Sequence, residues 1–136
     1  MTNRERGERL IRAARAIFRR DLAAARAAGD HNLAVRRAQE VVELALKGGL
    51  AILGVECPKA HHVGDLFAEQ VERKLRAVSS ERLERLEEAS LWLSEARAPS
   101  FYLDRDFTPQ DAERAYGDAT FVLETVEELM GISDEG

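Results

Sequence analysis

Between His31 and Leu53 the residues Leu33, Ala34, Ala38, Val41, Val42, Ala45, Leu46, Gly49, Ile52 and Leu53 form one broad stripe at helical spacing. Nowhere does the chain alternate polar residues with β-branched or aromatic ones, and Ala, Leu, Glu and Arg dominate it. Apolar residues that return every three to four positions bury only as one face of a helix, so the pattern predicts an all-α fold.

The same spacing predicts five helices. The first runs from about Asn3 to Ala28 with Leu10, Ile11, Ala14, Ile17, Phe18, Leu22, Ala25 and Ala28 on one face. Gly29 stops it and Asp30 caps the second, which ends at about Leu53 before Gly54. The third is expected from about His61 to Val78, with Val63, Leu66, Phe67, Val71, Leu75 and Val78 inward. Ser79 or Ser80 caps the fourth, which runs to about Arg97 and buries Leu83, Leu86, Ala89, Leu93 and Ala96. A loop, APSFYLDRDF, follows. Thr108-Pro109-Gln110-Asp111 then starts the fifth, with Thr108 as N-cap, Pro109 in the first turn and Asp111 closing a capping box. Gly131 ends it, and SDEG frays. Long helices on short loops are antiparallel neighbours, which predicts an up-and-down bundle with a four-helix core. The expected organisation is a single domain over residues 1–136, its core from about 4 to 130. Gly48 and Gly49 cost their helix about 1 kcal/mol each relative to Ala. Such glycines admit a second backbone, either within the bundle or across a dimer seam.

Charge divides the chain. Residues 1–37 hold ten Arg against four acids, +6; residues 38–136 hold ten basic residues against twenty-one acids, −11; the sum is the formal −5. The acidic total argues against general DNA binding. The arginines of the first segment read first as a solvated helix face paired to nearby acids. Cys57 is the one cysteine, which excludes an intrachain disulfide and a cysteine-rich zinc cage. No segment resembles a signal peptide or a membrane span, so a cytoplasmic protein is expected.

Few residues carry chemistry. His61 and His62 are adjacent and diverge by about 100° on a helix, so they do not clamp one metal as an i, i+4 pair does. A metal site needs His62 with Asp65 or Glu69; the simpler reading has one histidine capping the third helix and the other in solvent. Arg26 and His31 form an R-x4-H spacing, the minimum for metal-independent RNA cleavage, but Gly29-Asp30 sets them across a turn. Arg97 precedes the loop with Tyr102, where an arginine can hold a phosphate and a tyrosine can stack on a base; the structural reading is an arginine favourable to the helix C-terminal dipole, with Tyr102 packing the loop down. Glu43 and Lys47 form a helix-stabilising i, i+4 pair. No phosphate-cradling glycine motif occurs, and no metal or cofactor is expected.

Four blocks, in order, carry a resemblance. D30-H-N-L-A-V-R-R-A-Q-E-V-V-E-L-A-L-K47 resembles the signature helix of the HEPN (higher eukaryotes and prokaryotes nucleotide-binding) domain family. P58-K-A-H-H-V-G-D-L-F67 resembles the start of its third helix, with His61 at the family histidine and His62 where an Asp is usual. A96-R-A-P-S-F-Y102 and F107-T-P-Q-D-A-E-R-A-Y-G-D-A119 resemble its late loop and final helix. The resemblance covers about Arg4 to Leu129 and implies an all-α bundle, commonly a homodimer. It also implies one of two activities. Some members are metal-independent RNases with an R-x4-6-H motif; here Arg97 stands at such an arginine, but Tyr102 falls where the histidine would be. A phenol with a pKa of about 10 is a poor base at neutral pH. Members without that motif act beside a small nucleotidyltransferase as its nucleotide- or substrate-binding partner, often in toxin–antitoxin or stress modules. The chain resembles this second, non-catalytic group, and Lys47, His61, Arg97 and Tyr102 are the expected ligand contacts. The alternatives are an RNase toxin using Arg97 or Arg26 with a histidine, and a purely structural interaction protein.

Overall fold

The computed structural model describes residues 1–57, 59, 62–75 and 78–133. Five helical rods make up this part, and no strand occurs among the described residues. The first rod, α1, is continuous but not uniform: an α-helix Asn3–Ile17, a π-helical turn Phe18–Leu22 and an α-helix Ala23–Ala27. Then come α2 (His31–Ile52), α3 (Gly64–Lys74), α4 (Ser80–Phe101) and α5 (Pro109–Met130).

The helix ends follow local chemistry. Gly29 has φ 70°, and the Asp30 carboxylate accepts from the Leu33 N–H at 3.1 Å to start α2. Gly54, at φ 76°, follows α2, and the Lys74 ammonium bonds the Leu53 carbonyl at 2.7 Å. Ser79, not Ser80, caps α4 by accepting from the Arg82 N–H at 3.2 Å. At the head of α5 the Thr108 hydroxyl accepts from the Asp111 N–H at 3.0 Å, and the Asp111 carboxylate accepts from the Thr108 N–H at 2.9 Å. The bonds from Thr108, with Arg105 nearby, hold the Asp111 carboxyl below its ordinary range.

Two boundaries differ from the sequence expectation. α3 begins at Gly64 rather than His61 and ends at Lys74 rather than Val78. α4 does not stop at Arg97 but continues through Pro99 to Phe101. Pro99 cannot donate to the Glu95 carbonyl, yet the turn is held by the Ser100 hydroxyl on the Arg97 carbonyl (2.9 Å) and the Tyr102 N–H on the Ala98 carbonyl (2.9 Å).

α2 is the central rod and packs on α1, α4 and α5; the short α3 lies mainly on α4. The four long rods form the frame, and the short α3 adds Phe67, Ala68 and Val71 to the core. Gly48 serves close approach within the bundle: a Cβ there would lie 2.7 Å from the Gly7 carbonyl oxygen of α1. A Cβ on Gly49 would lie 2.5 Å from the ring of the buried Phe67 on α3. Most of the expected stripe positions are buried, Ile11, Leu22, Leu46, Leu86, Leu93 and Leu123 fully; on α2 the structure adds Val35 and Leu50 to the core, while Leu33, Ile52 and Leu53 are only partly buried.

α1 and α5 barely touch through their backbones and are joined by side chains instead. Arg4 donates to the Met130 carbonyl at 3.1 Å. Arg15 grips the Glu127 carboxylate with two nitrogens, Nε to Oε2 at 3.0 Å. Arg26 is bidentate to Glu113 at 2.9 and 3.0 Å. Phe18 stacks on Tyr116 at 5.3 Å, with Arg15 over the first ring and Arg26 over the second. The ascending numbers on α1 meet descending ones on α5, so the two rods are antiparallel.

Candidate functional site

One face of α2 repeats polar residues beside its core stripe: Arg36, Gln39, Glu40, Glu43 and Lys47. At i, i+3, i+4, i+7 and i+11 they share one side of the helix, where an apolar stripe would otherwise widen. Two neighbouring cavities open along that side. The first, about 240 Å³, lies between α2 and the end of α4 and is lined by Arg36, Gln39, Glu40, Glu43, Leu44, Arg97 and Phe101. The second, about 530 Å³, lies at the other end of α2 against the head of α1, where Arg6, Lys47 and Cys57 line it.

A hydrogen-bonded relay joins the two. The Gln39 amide donates to Glu43 Oε1 at 2.8 Å, and the Lys47 ammonium donates to Glu43 Oε2 at 3.0 Å. Gln39 is buried, so Glu43 fixes its amide rather than leaving it to turn in water. The Glu43–Lys47 pair is the one read from the sequence. Burial raises the Cys57 thiol, a shift that Lys47 opposes, so the thiol is not an activated nucleophile.

The smaller cavity is differently furnished. Arg36 lies over the Phe101 ring, 4.3 Å from its centroid. This contact orders the guanidinium without using its N–H donors. Arg97, half-buried, accepts the Ser100 hydroxyl on its carbonyl, but its guanidinium has no ion-pair partner among the described residues. Leu44 and Phe101 supply the apolar wall.

The four expected contacts do not converge. Arg97 lines the smaller cavity and Lys47 the larger. Tyr102 lines neither; its side chain stands in solvent with its ring edge-on to Phe101 at 5.0 Å. The helix runs one turn further than expected, which brings Phe101 rather than Tyr102 to the cavity. His61, with Pro58, lies outside the described residues. Sequence reasoning missed Arg36, Gln39, Glu40, Glu43 and Phe101 as a set. The signal available was the polar ladder on an otherwise apolar helix.

The other flagged residues have structural neighbours. His62 does not cap α3, whose N-cap Val63 has no side-chain bond; its Nδ1 meets the buried Ser90 hydroxyl at 3.2 Å and ties the head of α3 to α4. Its Nε2 lies 4.0 Å from Asp65, and no group of three metal-ligating residues occurs among the described residues. Arg26 is committed to Glu113. Beyond the end of α4, Phe101, Tyr102 and Leu103 form an exposed apolar run, and Leu103 holds a left-handed φ of 58°, which a branched side chain adopts rarely. None of the described helices is long and apolar enough to cross a membrane.

The described residues form an all-α bundle, and comparison with known families names its class. The HEPN domain profile matches residues 5–129, nearly the whole chain, and the chain belongs to that family. No curated protein and no solved structure matches it. Membership places its activity among nucleotide-related or RNase-like functions.

Proposed function

We propose that this chain is a nucleotide-binding HEPN module without catalysis of its own, acting as a homodimer beside a small nucleotidyltransferase in a toxin–antitoxin or stress module. The observation that carries the nucleotide reading is the α2–α4 cavity: two arginines with uncommitted donors, one ordered on an aromatic ring, beside an apolar wall. Guanidinium forks match phosphate oxygens, and a planar base finds a stacking surface on the arginine or the ring. The exposed run Phe101, Tyr102 and Leu103 beside the cavity supports self-association at that end of the bundle. Tyr102 and Lys47 then act at the margin, Tyr102 as part of the apolar rim and Lys47 through Glu43, and His61 remains an expected contact. The RNase alternative has less support, because Tyr102 stands where the motif's histidine would be and Arg26 is committed to Glu113.

The test is calorimetric titration of the purified chain with ATP and GTP. Saturable binding that falls about tenfold in Arg97→Ala supports the reading. Absence of binding, together with cleavage of RNA in EDTA, replaces it with the RNase alternative; silence in both leaves a structural partner. Sedimentation at several concentrations reads the dimer.

A further inference from the structure

The α2–α4 cavity holds a third uncommitted group, and it is an acceptor. Glu40 binds Arg37 through one oxygen, Oε1, at 2.6 Å, and its Oε2 has no partner among the described residues. Glu43, by contrast, has both oxygens engaged by Gln39 and Lys47. A ligand that fills the site therefore meets two guanidinium donors and one free carboxylate oxygen.

That set discriminates among bases. A carboxylate accepts only, so it is complementary to two adjacent N–H donors and repels a ring-nitrogen lone pair. Guanine alone of the four common bases presents neighbouring donors, N1–H and the N2 amino group, with O6 beside them as an acceptor. Adenine and cytosine set an amino donor next to a bare ring nitrogen, and uracil flanks its single N–H with two carbonyls. A carboxylate facing the wrong edge loses its own hydration without a partner, which costs more than a missing contact.

We infer, on the basis of the nucleotide reading above, that the groove selects a free guanine nucleotide. Glu40 Oε2, the oxygen that Arg37 leaves free, accepts from N1–H and N2–H together, the base stacks on the outer face of Arg36, whose inner face rests on Phe101, and Arg97 takes the phosphate. The relay from Lys47 through Glu43 to Gln39 makes these positioning residues, because it keeps Glu43 from competing for the same donors.

The experiment is calorimetric titration of the full chain with GMP, AMP, CMP and UMP, on the parent and on Glu40→Gln and Arg97→Ala. The expected result is GMP binding at least about tenfold tighter than AMP, the discrimination of one charge-assisted contact to a carboxylate oxygen that AMP leaves unpaired. Glu40→Gln should remove that preference while AMP binds as before or better, and Arg97→Ala should weaken all four alike. Glu40 is one-third exposed, and circular dichroism and melting confirm that its variant folds. Equal affinity for the four nucleotides, or a preference unchanged in Glu40→Gln, overturns the guanine assignment and leaves nucleotide binding standing. Binding confined to a guanine-containing oligoribonucleotide, with GMP silent, overturns the free-nucleotide assignment. No binding of any nucleotide overturns the underlying reading and this inference with it.

Discussion

The α1–α5 seam and the α2–α4 groove are built from the same residue types and use them in opposite ways. In the seam Arg15 and Arg26 each close on a carboxylate, and the rings between them, Phe18 and Tyr116, stack on one another. In the groove Arg36 lies on Phe101 with its donors open, Arg97 has no acid, and Glu40 keeps a free oxygen. An arginine that is paired and stacked within its own chain holds two helices together; one that is ordered but unpaired is prepared for an anion from outside. The +6 charge of the first thirty-seven residues is accordingly an imperfect guide to where an anion binds, because two of its arginines, Arg15 and Arg26, are neutralised across the seam.

This contrast can be broken most forcefully at Arg15. Arg15→Ala strands the Glu127 carboxylate, which is 9% exposed, and should cost about 3 kcal/mol in urea denaturation while nucleotide affinity stays the same. A smaller loss is expected from Phe18→Ala, about 2 kcal/mol, because the ring leaves both Tyr116 and Arg15. If that variant denatures within about 0.5 kcal/mol of the parent, the aromatic column does not hold the seam. Arg97→Ala should show the converse pattern: stability within about 0.5 kcal/mol and affinity about tenfold lower.

The smallest effect concerns the third interface, α3 on α4, where acids rather than arginines face one another. Burial raises the Glu87 carboxyl, Asp65, Glu84 and Glu72 raise it further, and His62 opposes them. A carboxyl whose folded pKa is raised weakens the fold when ionised. The penalty is complete above the folded value and gone below the ordinary value of about 4.3. Glu87→Gln should therefore stabilise the chain at pH 7 and leave it unchanged at pH 4. Equal denaturation midpoints for the two proteins at both pH values contradict that sign.

The architecture was legible in the sequence because it rests on local signals. Apolar spacing gave five rods; Asp30, Ser79, Thr108 and Asp111 marked helix starts by side-chain bonds within a few residues, and Gly29 marked an end by its left-handed φ. The site was less legible, since it depends on contacts distant in the chain. Arg97 was recognised, but its cavity is completed by Arg36 and Glu40, about sixty residues away. The fourth helix was expected to stop at about Arg97, but the bonds of Ser100 and Tyr102 carry it through Pro99, moving Phe101 into the place expected of Tyr102. The π-helical turn in α1 had no visible mark, because Phe18 to Leu22 continues the same apolar spacing.

The most direct test of the division between seam and groove is a paired titration with GTP of Arg97→Ala and Arg26→Ala, each checked for folding. The account predicts that Arg97→Ala loses affinity about tenfold with an unchanged melt, and that Arg26→Ala binds as the parent does. Parent-like binding by Arg97→Ala, with binding lost in a folded Arg26→Ala, would contradict it.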